Sequence, residues 1–260
     1  MDRLDTLAVT RRTYRLLRER LPALAPLAGL FALGFILAGA ARWLLPGLYV
    51  FNPFDMGWLL IPEALWFGPL LALAHHRILA PERAFAWSPG NRLLKFAKSA
   101  AYAYVLAILL PAGVFAATQA VPALLGYVLG PVAMPFYPAV VAVGAMVLLL
   151  GYVRLLFPFA ELAAADAREP MARSILLTRG KARKIASCLL LPAAPVLIPW
   201  VALAVWGGDW LDPAGGMPLR PAAIVVRAAL QTAGALLIST ALCATHEALA
   251  ALEGDTESHA

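Results

Sequence analysis

Long apolar runs separated by short charged segments dominate the pattern of this chain. A helix needs about 20 mostly apolar residues to cross the hydrocarbon core of a bilayer. Six runs reach that length, so the pattern predicts an all-α, polytopic integral membrane protein with six transmembrane helices in one domain, 1–260. The predicted spans are 22–45, 56–74, 97–120, 132–157, 185–206 and 221–244.

The third and fourth spans are separated by a turn rather than by charge. No Asp, Glu, Lys or Arg occurs in 99–153, a stretch much longer than one crossing requires. Gly126, Gly130 and Pro131 lie near its middle, and residues of these types favour a turn. We therefore interpret 99–153 as two helices joined by a short uncharged loop.

The composition indicates that much of the chain faces lipid. Hydrophobic residues make up 62% of it and charged residues 14%, whereas soluble proteins contain roughly 45–50% and about 25%. The mean hydropathy is +0.78. So few polar side chains cannot cover a soluble globule of this size. The same composition excludes a disordered chain, a disulfide-rich secreted domain and a soluble nucleic-acid binder.

The distribution of Lys and Arg predicts the orientation of the chain. Seventeen of the 21 basic residues fall on one side of a six-span topology, in the N-terminal segment and in the loops after the second and fourth spans. Because cytoplasmic loops collect Lys and Arg, both termini are expected in the cytoplasm, with the domain in the inner (plasma) membrane of a bacterium. The net charge of +6 then indicates topology and contact with anionic lipid head groups, and no nucleic-acid partner.

Two segments are predicted to form amphipathic helices on the cytoplasmic side of the membrane. The first is 1–21, where apolar residues recur at helical spacing and charged residues occupy the other side. The apolar set is Leu4, Leu7, Tyr14, Leu17 and Leu21, and the charged set is Arg11, Arg12, Arg15, Arg18 and Glu19.

The second amphipathic helix is predicted within the cytoplasmic loop 161–184. Pro170 suits the first position of a helix. Met171, Ile175 and Leu177 supply an apolar side. Gly180 is placed to end this helix with the positive φ that a terminating glycine adopts.

A spaced set of residues runs from the end of the fourth span into this loop. It consists of Arg154-Leu155, Pro158, Glu161, Ser174, Leu177-Thr178-Arg179-Gly180 and Arg183. The set resembles a signature of uncharacterised six-span bacterial membrane proteins, similar to the YciC-like family and to the membrane domain of glycerophosphoryl diester phosphodiesterases. That signature carries an aromatic residue shortly after the Ser and again after the Gly, where this chain has Ile175 and Ala182. The resemblance implies an all-α integral membrane protein without defined chemistry, and the phosphodiesterase catalytic domain has no counterpart here.

Charged residues inside the predicted spans are the main candidates for a polar site. Glu63 in the second span and Arg227 in the sixth lie at similar depth, and charges within membrane proteins commonly pair or line pathways. We expect an ion pair that stabilises helix packing, and the alternative is a polar cavity that binds a substrate. Arg154, at the inner end of the fourth span, either reaches the cytoplasmic interface or pairs with Glu161 or Asp166.

The sequence contains no motif that predicts a catalytic, metal or cofactor site. His75-His76 and His246-Glu247 follow the second and sixth spans, but no His-x-x-x-His or Cys-x-x-Cys spacing occurs. Cys188 and Cys243 fall near cytoplasmic helix ends, so free thiols are expected.

These observations favour a non-enzymatic protein, structural or regulatory in the cell envelope, that contacts anionic lipid. A protein partner or a homo-oligomer is left open. The first alternative is a small-solute or lipid transporter that uses Glu63 and Arg227. The second, less favoured, is a lipid-modifying membrane enzyme.

Overall fold

Every regular element that the structure describes is an α-helix. The structure is a computed structural model that describes residues 4–44, 56–81, 97–106, 123, 126–128, 139–140, 143–144, 156–160, 170–206 and 220–257. Its five long elements are α1 (Thr6–Leu44), α2 (Met56–Leu79), α3 (Pro170–Thr178), α4 (Ala182–Trp206) and α5 (Arg220–Glu257). A further helical segment covers 97–106.

Three of these helices are long and apolar enough to cross a membrane, judged over the described residues. They are found within α1, α4 and α5, as Thr6–Ala41, Ala182–Pro199 and Pro221–Leu252. They overlap the predicted first and fifth spans and contain the sixth, which confirms the helical, membrane-capable class of the protein. That the chain has six spans remains a prediction. The second predicted span lies within α2, which is not one of the three, and most of 97–120 and 132–157 falls outside the described residues.

The N-terminal segment and the first predicted span form one helix. α1 continues for 39 residues and contains Pro22 and Pro26, so the structure places no boundary between 21 and 22. A proline inside a helix removes one backbone donor and normally kinks or breaks the helix. Both rings lie on the exposed side of α1, while Leu24 and Leu27 on the other side are buried. Packing of the buried side therefore holds the helix through both prolines.

The apolar face predicted for the N-terminal segment is wrong in part. Leu4 is buried as expected, but Leu7, Tyr14 and Leu21 are 41–60% exposed. The buried stripe continues instead through Val9, Thr13 and Leu16. α1 packs most extensively on α5 and also contacts α4 and α2, and these contacts select the stripe that turns inward.

One buried apolar cluster joins all five helices. Its members include Leu16, Phe31, Ile78, Leu177, Ile185 and Leu249. Phe35 of α1 stacks on Phe67 of α2 with ring centroids 4.5 Å apart. Stacked aromatic pairs at this distance add to the stabilisation that burial provides.

The segment 97–106 packs closely on α2 at Gly68. A Cβ atom added to Gly68 would lie 2.5 Å from the backbone oxygen of Ser99 and 2.8 Å from the Cα of Ala100. Only a residue without a side chain permits two backbones to approach this closely. Gly68 therefore fixes the position of the segment against the core.

Candidate functional site at the basic end of the bundle

The residues that the sequence singled out in 170–184 lie at one end of the bundle, which we call the basic end. Here the first turns of α1, the last turns of α2 and α5, the whole of α3 and the start of α4 meet. Contacts between these helices define it: Thr6 and Tyr14 of α1 reach Cys188 and Pro192 of α4. Cys243 of α5 lies against the end of α2.

α3 presents a polar, fully buried face to this end. Ser174 and Thr178 are both 0% exposed, and the Thr178 hydroxyl donates to the Ser174 carbonyl oxygen at 2.9 Å. Leu177 lies beside them in the apolar cluster. The Thr178 hydroxyl bonds locally, which indicates that it supports α3 rather than facing a ligand.

The outer face of α3 is apolar and exposed. Ile175 and Leu176 are 45% and 66% exposed. Ile175 was predicted to share a face with Leu177, and this is wrong because Leu177 turns inward. Two residues apart on a helix point in different directions, so they cannot occupy one narrow stripe. The side chain of Met171, the third predicted member, lies outside the described residues.

Gly180 separates α3 from α4 and has the predicted positive φ, at +73°. The backbone N–H of Arg179 donates to the Leu176 carbonyl, and that of Lys181 donates to the Thr178 carbonyl, both at 3.1 Å. No heavy atom lies within 4 Å of the position of an added Cβ at Gly180. Glycine is therefore favoured by the backbone conformation and not by lack of space.

The turn at Gly180 places basic side chains on the surface next to the apolar face of α3. Arg179, Arg183 and Lys184 are exposed, and Lys181 is half-buried. The neighbouring helices add further exposed basic residues, which are Arg11, Arg15 and Arg18 of α1 and Arg77 of α2. Guanidinium and ammonium groups beside exposed leucine and isoleucine side chains suit a surface that meets phosphate head groups and acyl chains together.

Two side chains near the start of α1 attach it to the other helices. Arg12 binds the carboxylate of Glu247 in α5 at 3.2 Å, and both side chains are about two-fifths exposed, 43% and 37%. The Tyr14 hydroxyl donates to the Pro192 carbonyl of α4 at 2.8 Å. The N-terminal segment is thus part of the bundle.

His75 is an almost fully buried titratable group at the basic end, and it follows the predicted second span. It is 1% exposed, and its ring stacks on Phe159 with centroids 6.1 Å apart. Burial lowers the pKa of His75 to about 4; a hydrogen bond to the Leu71 carbonyl opposes this, and the neighbouring His246 lowers it further. His75 is therefore neutral at physiological pH.

The other predicted residues are distributed between described and undescribed parts of the chain. Glu63 and Arg227 are both half-buried, on α2 and α5, two helices that contact each other. Their ion pair stays a prediction. Arg154 and Glu161 lie outside the described residues, and so does any pairing between them.

The cysteine prediction is confirmed, because Cys188 and Cys243 are free and buried. Within the described ranges, no group of three or more His, Cys, Asp or Glu residues could hold a metal ion. The polar contacts of His75, Tyr14 and Glu247 were not foreseen, since each joins helices far apart in sequence. In the sequence, the adjacent pair His246-Glu247 came closest to indicating these contacts, but hydrophobic periodicity alone does not identify the residues that such a pair faces.

Comparison with known proteins adds no relative: no family model, no curated protein and no solved structure matches this chain. The residues and their geometry therefore carry the functional argument.

Proposed function

We propose that this chain is a non-enzymatic membrane protein, structural or regulatory in the envelope, whose basic end binds the head groups of anionic lipids. The observation that carries the proposal is the outer surface of α3 and its following turn. There Ile175 and Leu176 are exposed on α3, and the cations Arg179, Arg183 and Lys184 are exposed on the turn and the start of α4 that follow. The YciC-like family and a bacterial inner membrane with cytoplasmic termini belong to the same proposal.

Two physical terms support lipid binding at this surface. Each Lys or Arg close to an anionic leaflet contributes about 1 kcal/mol of attraction, and exposed apolar side chains add burial in the acyl boundary. On α1, a second exposed stripe combines apolar and basic side chains in the same way. It contains Leu7, Arg11, Tyr14, Arg18 and Leu21.

The test compares how the melting temperature depends on lipid composition in the wild type and in a triple variant. The variant carries Arg179→Gln, Arg183→Gln and Lys184→Gln. The wild type in nanodiscs is expected to melt at a higher temperature when phosphatidylglycerol replaces part of the phosphatidylcholine. The triple variant should lose most of that gain, because up to about 3 kcal/mol of attraction is removed.

The matched control carries Arg179→Lys, Arg183→Lys and Lys184→Arg. These substitutions keep each positive charge and exchange only guanidinium and ammonium groups. It should retain the gain from phosphatidylglycerol at low salt. An equal gain in the wild type and in the neutral variant would contradict the proposal, and the basic residues would then serve orientation alone.

A further inference from the structure

His75 is buried with one ring nitrogen hydrogen-bonded and the other enclosed. Nδ1 lies 2.6 Å from the Leu71 carbonyl oxygen, and since a carbonyl only accepts, Nδ1 carries the proton of the neutral ring. Nε2 is then an acceptor, and among the described residues it has no hydrogen-bond partner. A second proton could enter the ring only at Nε2.

The surroundings of His75 do not suit a charged ring. Phe159 stacks on it, and Cys243 of α5 donates its thiol proton toward the His75 carbonyl at 4.0 Å. His246 of α5 also lowers the pKa of His75 by charge repulsion. An imidazolium here would carry an N–H for which the described residues offer no acceptor.

Other charged and titratable groups among the described residues lie on the elements around this junction. On α2 they are the buried His76 and the exposed Arg77. On α5 the carboxylate of Glu247 is held by Arg12 of α1. From the segment 97–106, Tyr102 packs on Phe159 in a T-shaped arrangement, with ring centroids 6.3 Å apart.

We propose that His75 and α5 form a proton-sensitive joint, in which the neutral ring keeps the end of α2 against α5 and a proton on Nε2 releases it. The pKa of His75 is about 4 in the closed state and 6.5 for a free ring, so protonation favours the open state. The closed joint is fully stable above the free-ring value, and its stability falls as the pH decreases from there toward the closed-state value. Acid thus loosens the basic end of the bundle.

Cys243 reports the opening because its thiol lies against the backbone of His75, whereas Cys188 packs against Thr6 of α1. The full chain is prepared in detergent as two single-cysteine forms, Cys188→Ser and Cys243→Ser. Each is titrated with a dipyridyl disulfide, which reacts with thiols in acid as well as at neutral pH. Rates are normalised to a small-molecule thiol under the same conditions.

Between pH 7.5 and 4.5 the normalised rate at Cys243 is expected to rise by more than about tenfold, because the open and closed states differ in proton affinity. Cys188 should show no such rise. His75→Phe keeps an aromatic ring without a proton site and should abolish the rise at Cys243. His246→Gln should keep the rise and move its midpoint to higher pH.

The proposal is overturned if Cys243 reacts no faster in acid, or if the rise persists in His75→Phe. Equal reactivity of His75→Phe and the wild type at pH 7.5 shows that the variant is folded. If it is not, His75→Gln, which keeps a polar group that does not titrate, replaces it with the same expected loss of the rise.

Discussion

α1 continues through two prolines, whereas α3 ends at a single glycine. The prolines at 22 and 26 are exposed on a helix whose other side is buried against α5, α4 and α2. Gly180 instead adopts φ = +73°, a conformation that turns the chain out of the helix. A helix-breaking residue thus ends a helix where it changes the direction of the backbone, as Gly180 does. Where the opposite face of the helix is well packed, the helix can continue through a proline despite the loss of one backbone hydrogen-bond donor.

The largest effect in this comparison is expected at Gly180. Gly180→Ala should lower the free energy of unfolding by about 1–2 kcal/mol, because a Cβ is disfavoured at positive φ, and Gly180→Val should lower it further. Thermal unfolding in detergent measures both. Neither variant changes charge, so the orientation of the chain should be unaffected.

Gly29 provides the matched control for Gly180. A Cβ at either glycine meets no heavy atom within 4 Å, but Gly29 lies inside α1 and has no positive φ. Gly29→Ala should therefore raise stability, by up to about 1 kcal/mol, through higher helix propensity. If both Gly→Ala substitutions changed the free energy of unfolding with the same sign, the backbone conformation would not explain a difference between the two glycines.

An intermediate effect is expected at the prolines of α1. Pro22→Ala and Pro26→Ala each restore a backbone donor inside a continuous helix, so each should raise thermal stability, by about 1 kcal/mol or more. Because both rings are exposed, no packing is lost in exchange. A fall in stability with either substitution would indicate that the helix depends on a proline-induced bend, and the contrast with Gly180 would then be smaller.

The same contrast explains which features the sequence could predict. The end of α3 depends on Gly180 and its neighbours, so local rules were sufficient to predict it. The class of protein followed from the length of the apolar runs, since three of them form membrane-capable helices. Both features are determined within a short stretch of chain.

Features that depend on packing were not predictable. The N-terminal segment has two apolar stripes, one with Leu7 and Tyr14 and one with Val9 and Leu16. Which stripe is buried is decided by α4 and α5, which come more than 160 residues later in the chain. The enclosure of His75 has the same origin, because Phe159 and Cys243 come from distant segments.

The smallest effect should come from the ion pair that links α1 to α5. Arg12 and Glu247 lie 3.2 Å apart but are 43% and 37% exposed, and ion pairs at this exposure contribute about 0–1 kcal/mol. In a double-mutant cycle with Arg12→Gln and Glu247→Gln, the coupling should fall in that range and decrease further as salt screens the charges. A coupling well above it, insensitive to salt, would mean that the start of α1 is held by charge. The expected small value would instead leave the buried stripe of Leu4, Val9 and Leu16 as the contact that keeps the N-terminal segment in the bundle.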